Sequence, residues 1–99
     1  MRILITGSNG VVGKEIVNLL SKDKKNELYL LTNKKIKKNK KKIKLFYQDL
    51  TKPINYKFKI DIIIHCAAKN PLSKSGNSSS NIYSSNIKMT RNLIKFSKK

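Results

Sequence analysis

The sequence has no tryptophan, one cysteine, two prolines and only five acidic residues in its 99 positions. Each shortage excludes something. A single thiol, Cys66, cannot close an internal disulfide, so a disulfide-stapled secreted scaffold is excluded and a reducing cytoplasm is the expected setting. No signal peptide is visible, because the chain enters an apolar strand directly after Arg2. No apolar run approaches the ~18 residues needed to cross a membrane. Arginine is scarcer still than acid, with Arg2 and Arg91 alone, so lysine supplies nearly all of the +18 net charge. Such an excess suits nucleic acid, anionic lipid or an anionic ligand. A nucleic-acid face more persuasively uses arginine with interleaved aromatics, and that pattern is missing. Abundant Lys, Asn and Ile also fit drift from A- and T-rich coding DNA, although drift does not fully account for so few acids. Nucleic acid is therefore a disfavoured partner.

Glycine is sparse too, yet three of the four glycines fall in one short stretch. It reads Arg2-Ile3-Leu4-Ile5-Thr6-Gly7-Ser8-Asn9-Gly10-Val11-Val12-Gly13. A continuous apolar strand runs into glycines three residues apart. A helical pattern follows, with Val12, Ile16, Leu19 and Leu20 on one face. Strand, glycine turn and helix together make a phosphate-site pattern. Gly7 lets the chain turn sharply, Gly10 keeps side-chain bulk away from a pyrophosphate, and Gly13 lets helix and strand pack closely. The N–H groups and positive dipole end of the helix then face the phosphates.

The remaining chain alternates strands with crossovers. The first strand spans 3–6 and the first helix begins at Gly10 or Val11 and runs to about Lys22, with Lys22, Lys24 and Lys25 near its C-terminus. The second strand is 27–32. Residues 33–42 form a lysine run with little apolar surface, expected to be a solvated crossover of weak helicity. A third strand spans 43–48, and 51–59, containing Pro53, is a turn or single helical loop. The fourth strand lies within 60–68 and contains Cys66 as a buried apolar thiol. Residues 69–80 read as a loop. A last helix over 81–96 places Ile82, Asn86, Ile87, Thr90, Leu93 and Ile94 at helical spacing. The fold class is α/β: a parallel, right-handed Rossmann-like sheet ordered 3-2-1-4 with flanking helices.

Four stretches, in order, resemble the extended short-chain dehydrogenase/reductase superfamily, in its NAD-dependent epimerase/dehydratase branch. The first is Thr6-Gly7-Ser8-Asn9-Gly10-Val11-Val12-Gly13. The second is Asp49-Leu50-Thr51, where the resemblance implies that Asp49 looks toward the adenine ring and Leu50 walls its pocket; a carboxylate can accept the adenine amino proton. The third, Asp61-Ile62-Ile63-Ile64-His65-Cys66-Ala67-Ala68, is similar to the family's fourth strand and its His-x-Ala-Ala end. Ala67 and Ala68, with Lys69 after them, would border the cofactor's ribose and pyrophosphate, while His65 reads as structural. The fourth, beginning at Tyr83, is similar to the family's Asn-Val-x-Gly-Thr-x-Asn-Leu helix. Asn86 matches the Asn that orders the active-site wall, but Met89 stands where glycine is usual, so the helix packing should differ.

The resemblance implies a dinucleotide cofactor, NAD or NADP. The end of the second strand commonly carries an acid for the ribose hydroxyls. Here it reads Leu31-Thr32-Asn33-Lys34-Lys35, with no carboxylate. Asn33 and Lys34 are therefore assigned to the cofactor, and Lys34 with Lys35 favours NADP; a solvated lysine run explains the same residues without any contact.

The family's acid/base pair is a Tyr with a Lys four residues on, which lowers its pKa. Tyr29, Tyr47, Tyr56 and Tyr83 are followed at that spacing by Asn33, Thr51, Ile60 and Ile87. No catalytic residue and no metal ligand is assigned. A domain of two mononucleotide halves is normally longer. The chain is accordingly expected to be the N-terminal, cofactor-binding portion of an epimerase, dehydratase or reductase acting on a nucleotide sugar or a related carbonyl or hydroxyl compound. Its fourth strand would leave a bare sheet edge through which chains could associate. A non-catalytic NADP-sensing module and a basic nucleic-acid-binding protein are the competing readings.

Overall fold

The computed structural model describes residues 1–34, 42–68 and 79–98. Most of the lysine run and of the 69–80 loop lies outside them, so the expectations for 35–41 and 69–78 have no structural counterpart here. The elements are β1 (Arg2–Thr6), α1 (Val11–Ser21), β2 (Glu27–Thr32), β3 (Ile43–Tyr47), β4 (Ile62–His65) and α2 (Ser79–Ser97). The chain divides into two compact units: Met1–Asp49 with Lys57–Ala67, and Leu50–Tyr56 with Ala68–Lys99.

The first unit is built on a parallel sheet in the order β3-β2-β1-β4. Leu4 pairs with Tyr29 on one side and Ile63 on the other, and Leu30 pairs with Leu45. The two central strands explain the uninterrupted apolar runs: Ile3 to Thr6 and Leu28 to Thr32 are buried throughout, since each strand is covered on both faces. One face carries Ile3, Ile5, Leu28 and Leu30, packed with Ile16, Val17 and Leu20 of α1. The other carries an aromatic group, with the Phe58 ring centroid 5.1 Å from Tyr29 and 4.6 Å from Phe46. Lys44 lays its ammonium 5.5 Å from the Tyr29 ring centre, a cation–π contact that keeps the charge at the surface. Among the described residues β3 and β4 are the edges, and their burial is only partial.

In the second unit Leu50, Ile54, Ile82, Met89, Leu93 and Phe96 are buried. The Asn92 side-chain amide donates to the Leu50 carbonyl at 2.8 Å, tying α2 to the segment after β3.

Several details differ from the sequence reading. The inward face of α1 is Gly13, Ile16, Val17 and Leu20, whereas Val12 and Leu19 are 65% and 58% exposed. Gly13 sits against the preceding turn, and that contact sets the rotation of the helix about its axis. Lys22 is the C-cap, and the last turn itself carries no cation. Residues 51–59 contain no helix, in keeping with the turn, one of the two forms expected there. β4 is shorter than expected and Cys66 lies just beyond it, half-buried, because a strand at the edge is paired and covered on fewer sides. α2 starts at Ser79, and its buried stripe is Ile82, Met89, Leu93 and Phe96, with Thr90 and Ile94 exposed. Met89, in the place where the resembling family has glycine, is thus a buried residue of this helix.

Truncating Ile5 to Ala should cost about 3 kcal/mol, since the side chain is wholly buried. Leu19→Ala should stay within ~0.5 kcal/mol. Urea denaturation of both variants tests which face of α1 is inward.

Candidate functional site

The parallel arrangement brings the C-terminal ends of all four strands to one edge, where Thr6 pairs with Leu31 and His65, and Thr32 pairs with Tyr47. The glycine turn leaves β1 at this edge. Gly7 has φ +73°, a conformation natural to glycine. A Cβ there would also lie 2.5 Å from the Ala67 nitrogen and 2.6 Å from the Cys66 carbonyl carbon. Gly13 is tighter still, since its Cβ would fall 2.0 Å from the Gly7 carbonyl oxygen. Gly10 is different. Its φ of −78° suits any residue, and among the described residues an added Cβ would meet only the Gly7 oxygen, at 3.5 Å. Two glycines therefore permit close packing, and the middle one keeps a surface open.

That surface is the start of α1. The first intrahelical bond runs from Lys14 N–H to the Gly10 carbonyl at 2.9 Å, so the N–H groups of Val11, Val12 and Gly13 precede the helical ladder. The Gly10 cap has no side-chain hydrogen bond, and the first turn has no acid. Donors and a positive dipole end suit an anion here. Val11, beside the exposed Asn9 and Gly10, is 89% exposed.

The other expected residues divide between the two units. Ser8 is buried in the turn and Asn9 is exposed, yet the Asn9 side-chain amide donates to the Thr32 hydroxyl at 2.9 Å. The same hydroxyl accepts the Lys34 N–H at 3.1 Å, so Thr32 links the glycine turn to the segment after β2. Asn33 and Lys34 are both exposed. Asp49, half-buried, follows β3, whose exit is fixed by the Gln48 N–H bond to the Thr32 carbonyl at 2.7 Å. Ala67 backs Gly7. Leu50 (buried), Ala68 (exposed) and Asn86 (half-buried) belong to the second unit, and the Asn86 carbonyl accepts the Thr90 hydroxyl. Lys69 lies outside the described residues.

The sequence reading assigned no role to Thr6 or Thr32. Both are buried hydroxyls at the last position of a central strand. A polar residue closing an apolar strand was the available signal. Thr6 Oγ1 receives the N–H groups of Cys66 and Ala67 at 3.1 and 3.2 Å and lies 2.6 Å from His65 Nδ1. His65 is thus tied to β1 at the tip of β4; the residue as a whole is exposed, and the partial burial of its ring holds its pKa below the ordinary 6.5.

Chemically, the arrangement can hold an anion at the start of α1 and a flat, extended group along the strand ends. Among the described residues no cluster of three or more His, Cys, Asp or Glu is placed to hold a metal. Replacing Gly7 or Gly13 by Ala should destabilise the chain by about 3 kcal/mol or more, because the clashing atoms are backbone. Gly10→Ala should cost less than ~1 kcal/mol. Thermal unfolding of the three variants tests this division of labour.

Comparison with solved structures finds a UDP-N-acetylglucosamine 4-epimerase from Bacillus cereus with a TM-score of 0.64 at 23% identity, a likeness that shows the fold. The alignment covers 94% of this chain and 31% of that one, so the chain spans about a third of its length. No match is found among curated proteins. A sequence profile of the NAD dependent epimerase/dehydratase family matches residues 3–99. With a parallel 3-2-1-4 sheet and a three-glycine turn opening an uncapped helix, the chain belongs to the NAD-dependent epimerase/dehydratase family.

Proposed function

We propose that these residues are the cofactor-binding portion of an NAD(P)-dependent epimerase, dehydratase or reductase acting on a nucleotide sugar or a related carbonyl or hydroxyl compound. The observation that carries this reading is the contrast among the glycines. Gly7 and Gly13 are crowded by this chain's own backbone, whereas among the described residues a Cβ at Gly10 would make one ordinary contact, with the Gly7 oxygen at 3.5 Å, beside an uncapped helix start. Close packing alone requires the first two glycines and leaves Gly10 without a reason. A pyrophosphate lying against the Gly10 backbone supplies one. The family profile and the epimerase-like fold support the same assignment.

The residues fit such a cofactor. The N–H groups of Val11, Val12 and Gly13 would donate to its phosphates, and the exposed Val11 and Val12 side chains would lie beneath it. Asp49 would accept from the adenine amino group. Asn33 and Lys34 follow β2, where the ribose of the adenosine half would sit. The cofactor, when bound, supplies hydride exchange with a carbon of the substrate. The protein's part here is to orient it, to keep like charge away from its phosphates and to present the edge where a substrate approaches. With no Tyr four residues before a Lys in the sequence, these residues bind the cofactor without supplying that proton relay.

The segment after β2 favours NADP. A carboxylate would accept from the ribose hydroxyls and repel a 2′-phosphate. Here the strand ends in a threonine whose hydroxyl already accepts two donors, followed by Lys34.

The test is titration with NADPH and NADH at moderate salt, which suppresses nonspecific attraction to the lysines. Saturable binding that prefers NADPH is expected, and Gly10→Leu should abolish it while the protein stays folded. Changing Lys34 and Lys35 together to Ala should weaken NADPH about fivefold, or ~1 kcal/mol, and leave NADH unchanged. An unchanged NADPH affinity in the double variant would remove the case for NADP, and binding that survives Gly10→Leu would remove the glycine-turn assignment.

A further inference from the structure

Thr6 and His65 contain a proton-counting constraint. A threonine hydroxyl has one proton to donate and two lone pairs to accept with. The Cys66 and Ala67 amides approach Thr6 Oγ1 at 3.1 and 3.2 Å and occupy both lone pairs. The remaining partner, His65 Nδ1 at 2.6 Å, must therefore accept the hydroxyl proton. Nδ1 is then bare, the ring proton is on Nε2, and the imidazole is neutral.

The amides that Thr6 holds are next to the glycine turn. The Ala67 nitrogen is the atom against which Gly7 is packed, 2.5 Å from where a Cβ would stand. Cys66 N–H has a second acceptor in the Thr6 carbonyl at 3.1 Å, which makes it the amide able to leave the hydroxyl. Protonation of Nδ1 would set a donor against a donor at 2.6 Å. To resolve that, Thr6 must turn a lone pair toward the imidazolium and give up one of its amides.

We infer that His65 is a proton-operated positioning residue for the glycine turn: its neutral ring keeps the Thr6 hydroxyl clamped on Cys66 and Ala67, and its protonation loosens the tip of β4 and weakens dinucleotide binding. This rests on the dinucleotide reading of the turn. Among the described residues no charged neighbour competes for the role. β1 is the element paired with β4, and its one charged residue, Arg2, lies at the opposite end, where its N–H binds Asp61. The turn from Gly7 to Gly10 has no titratable group, and among the described residues Cys66 is the only other one at the tip. α1 packs on β1 and β2 and exposes Lys14 and Glu15. The direction follows from the partial burial of the ring, which holds the His65 pKa below 6.5 although the residue as a whole is exposed. The unfolded chain takes up the proton more readily than the folded one. The clamp's contribution is therefore complete above pH 6.5 and is lost as pH falls through the lowered value.

The experiment is a titration of the 99-residue chain with NAD from pH 8 to pH 5, a range in which its pyrophosphate does not titrate. Wild-type affinity should be constant above pH 7 and fall at lower pH, by no more than about tenfold per pH unit, the limit for one proton. His65→Asn carries a carbonyl oxygen where Nδ1 stands and does not titrate, so its profile should be flat. Thr6→Ser, which keeps the hydroxyl, should restore the wild-type profile, whereas Thr6→Val should remove the inflection. By ¹⁵N NMR, His65 should be the Nε2–H tautomer at pH 8, and the Ala67 amide should titrate with the ring. An Nδ1–H tautomer, or the same pH profile in His65→Asn, would overturn the role of His65 while leaving the dinucleotide reading intact. No binding of NAD or of NADPH at any pH would overturn both.

Discussion

The contact on which the rest depends is the approach of the Gly13 backbone to the Gly7 carbonyl, so close that an added Cβ would lie 2.0 Å from the oxygen. It fixes the rotation of α1, and so decides that Ile16, Val17 and Leu20 face the sheet while Val11 and Val12 do not. It also sets the start of the helix over the strand ends, with its first N–H groups outside the helical ladder. Gly7, in turn, is held against Ala67, so β1, β4 and α1 meet at one point. The proposed dinucleotide site at this edge would be a consequence of that packing. The same backbone contacts that close the core leave the anion-seeking end of the helix uncovered.

The order of the sheet and most of the strands were legible because both central strands are buried on two faces. Continuous apolar runs such as 28–31 have no other economical explanation. The glycine spacing was legible for a related reason, since two of the three positions admit no side chain at all. The face of α1 was not legible. Val12 and Leu19 satisfy helical periodicity as well as Val17 does, and only the depth to which Gly13 sinks separates them. In α2 the buried Met89 and Phe96 replaced Thr90 and Ile94 of the expected stripe for a similar reason, since periodicity gives a face only to within a neighbouring position.

The candidate site was only half visible. Glycines, alanines and Asp49 are recognisable by type and spacing. The links among them depend on Thr6 and Thr32, whose hydroxyls join strands distant in sequence: Thr6 to Cys66 and Ala67, and Thr32 to Asn9 and Lys34. A threonine at the end of an apolar strand is unremarkable until the neighbouring strands are placed. The lysine excess bears on function more weakly. It makes the chain attractive to many anions, so affinity for a phosphate compound alone says little, and the location of binding has to be measured.

That location is the most direct test of the account. Amide ¹H–¹⁵N shifts of the chain should be followed while NADPH is added at moderate salt. The account predicts saturable changes centred on Val11, Val12 and Gly13, extending to Asn33, Lys34 and Ala67. Changes spread over exposed lysines such as Lys22, Lys25 and Lys88, with residues 7–13 unmoved, would contradict it and leave charge alone as the basis of binding.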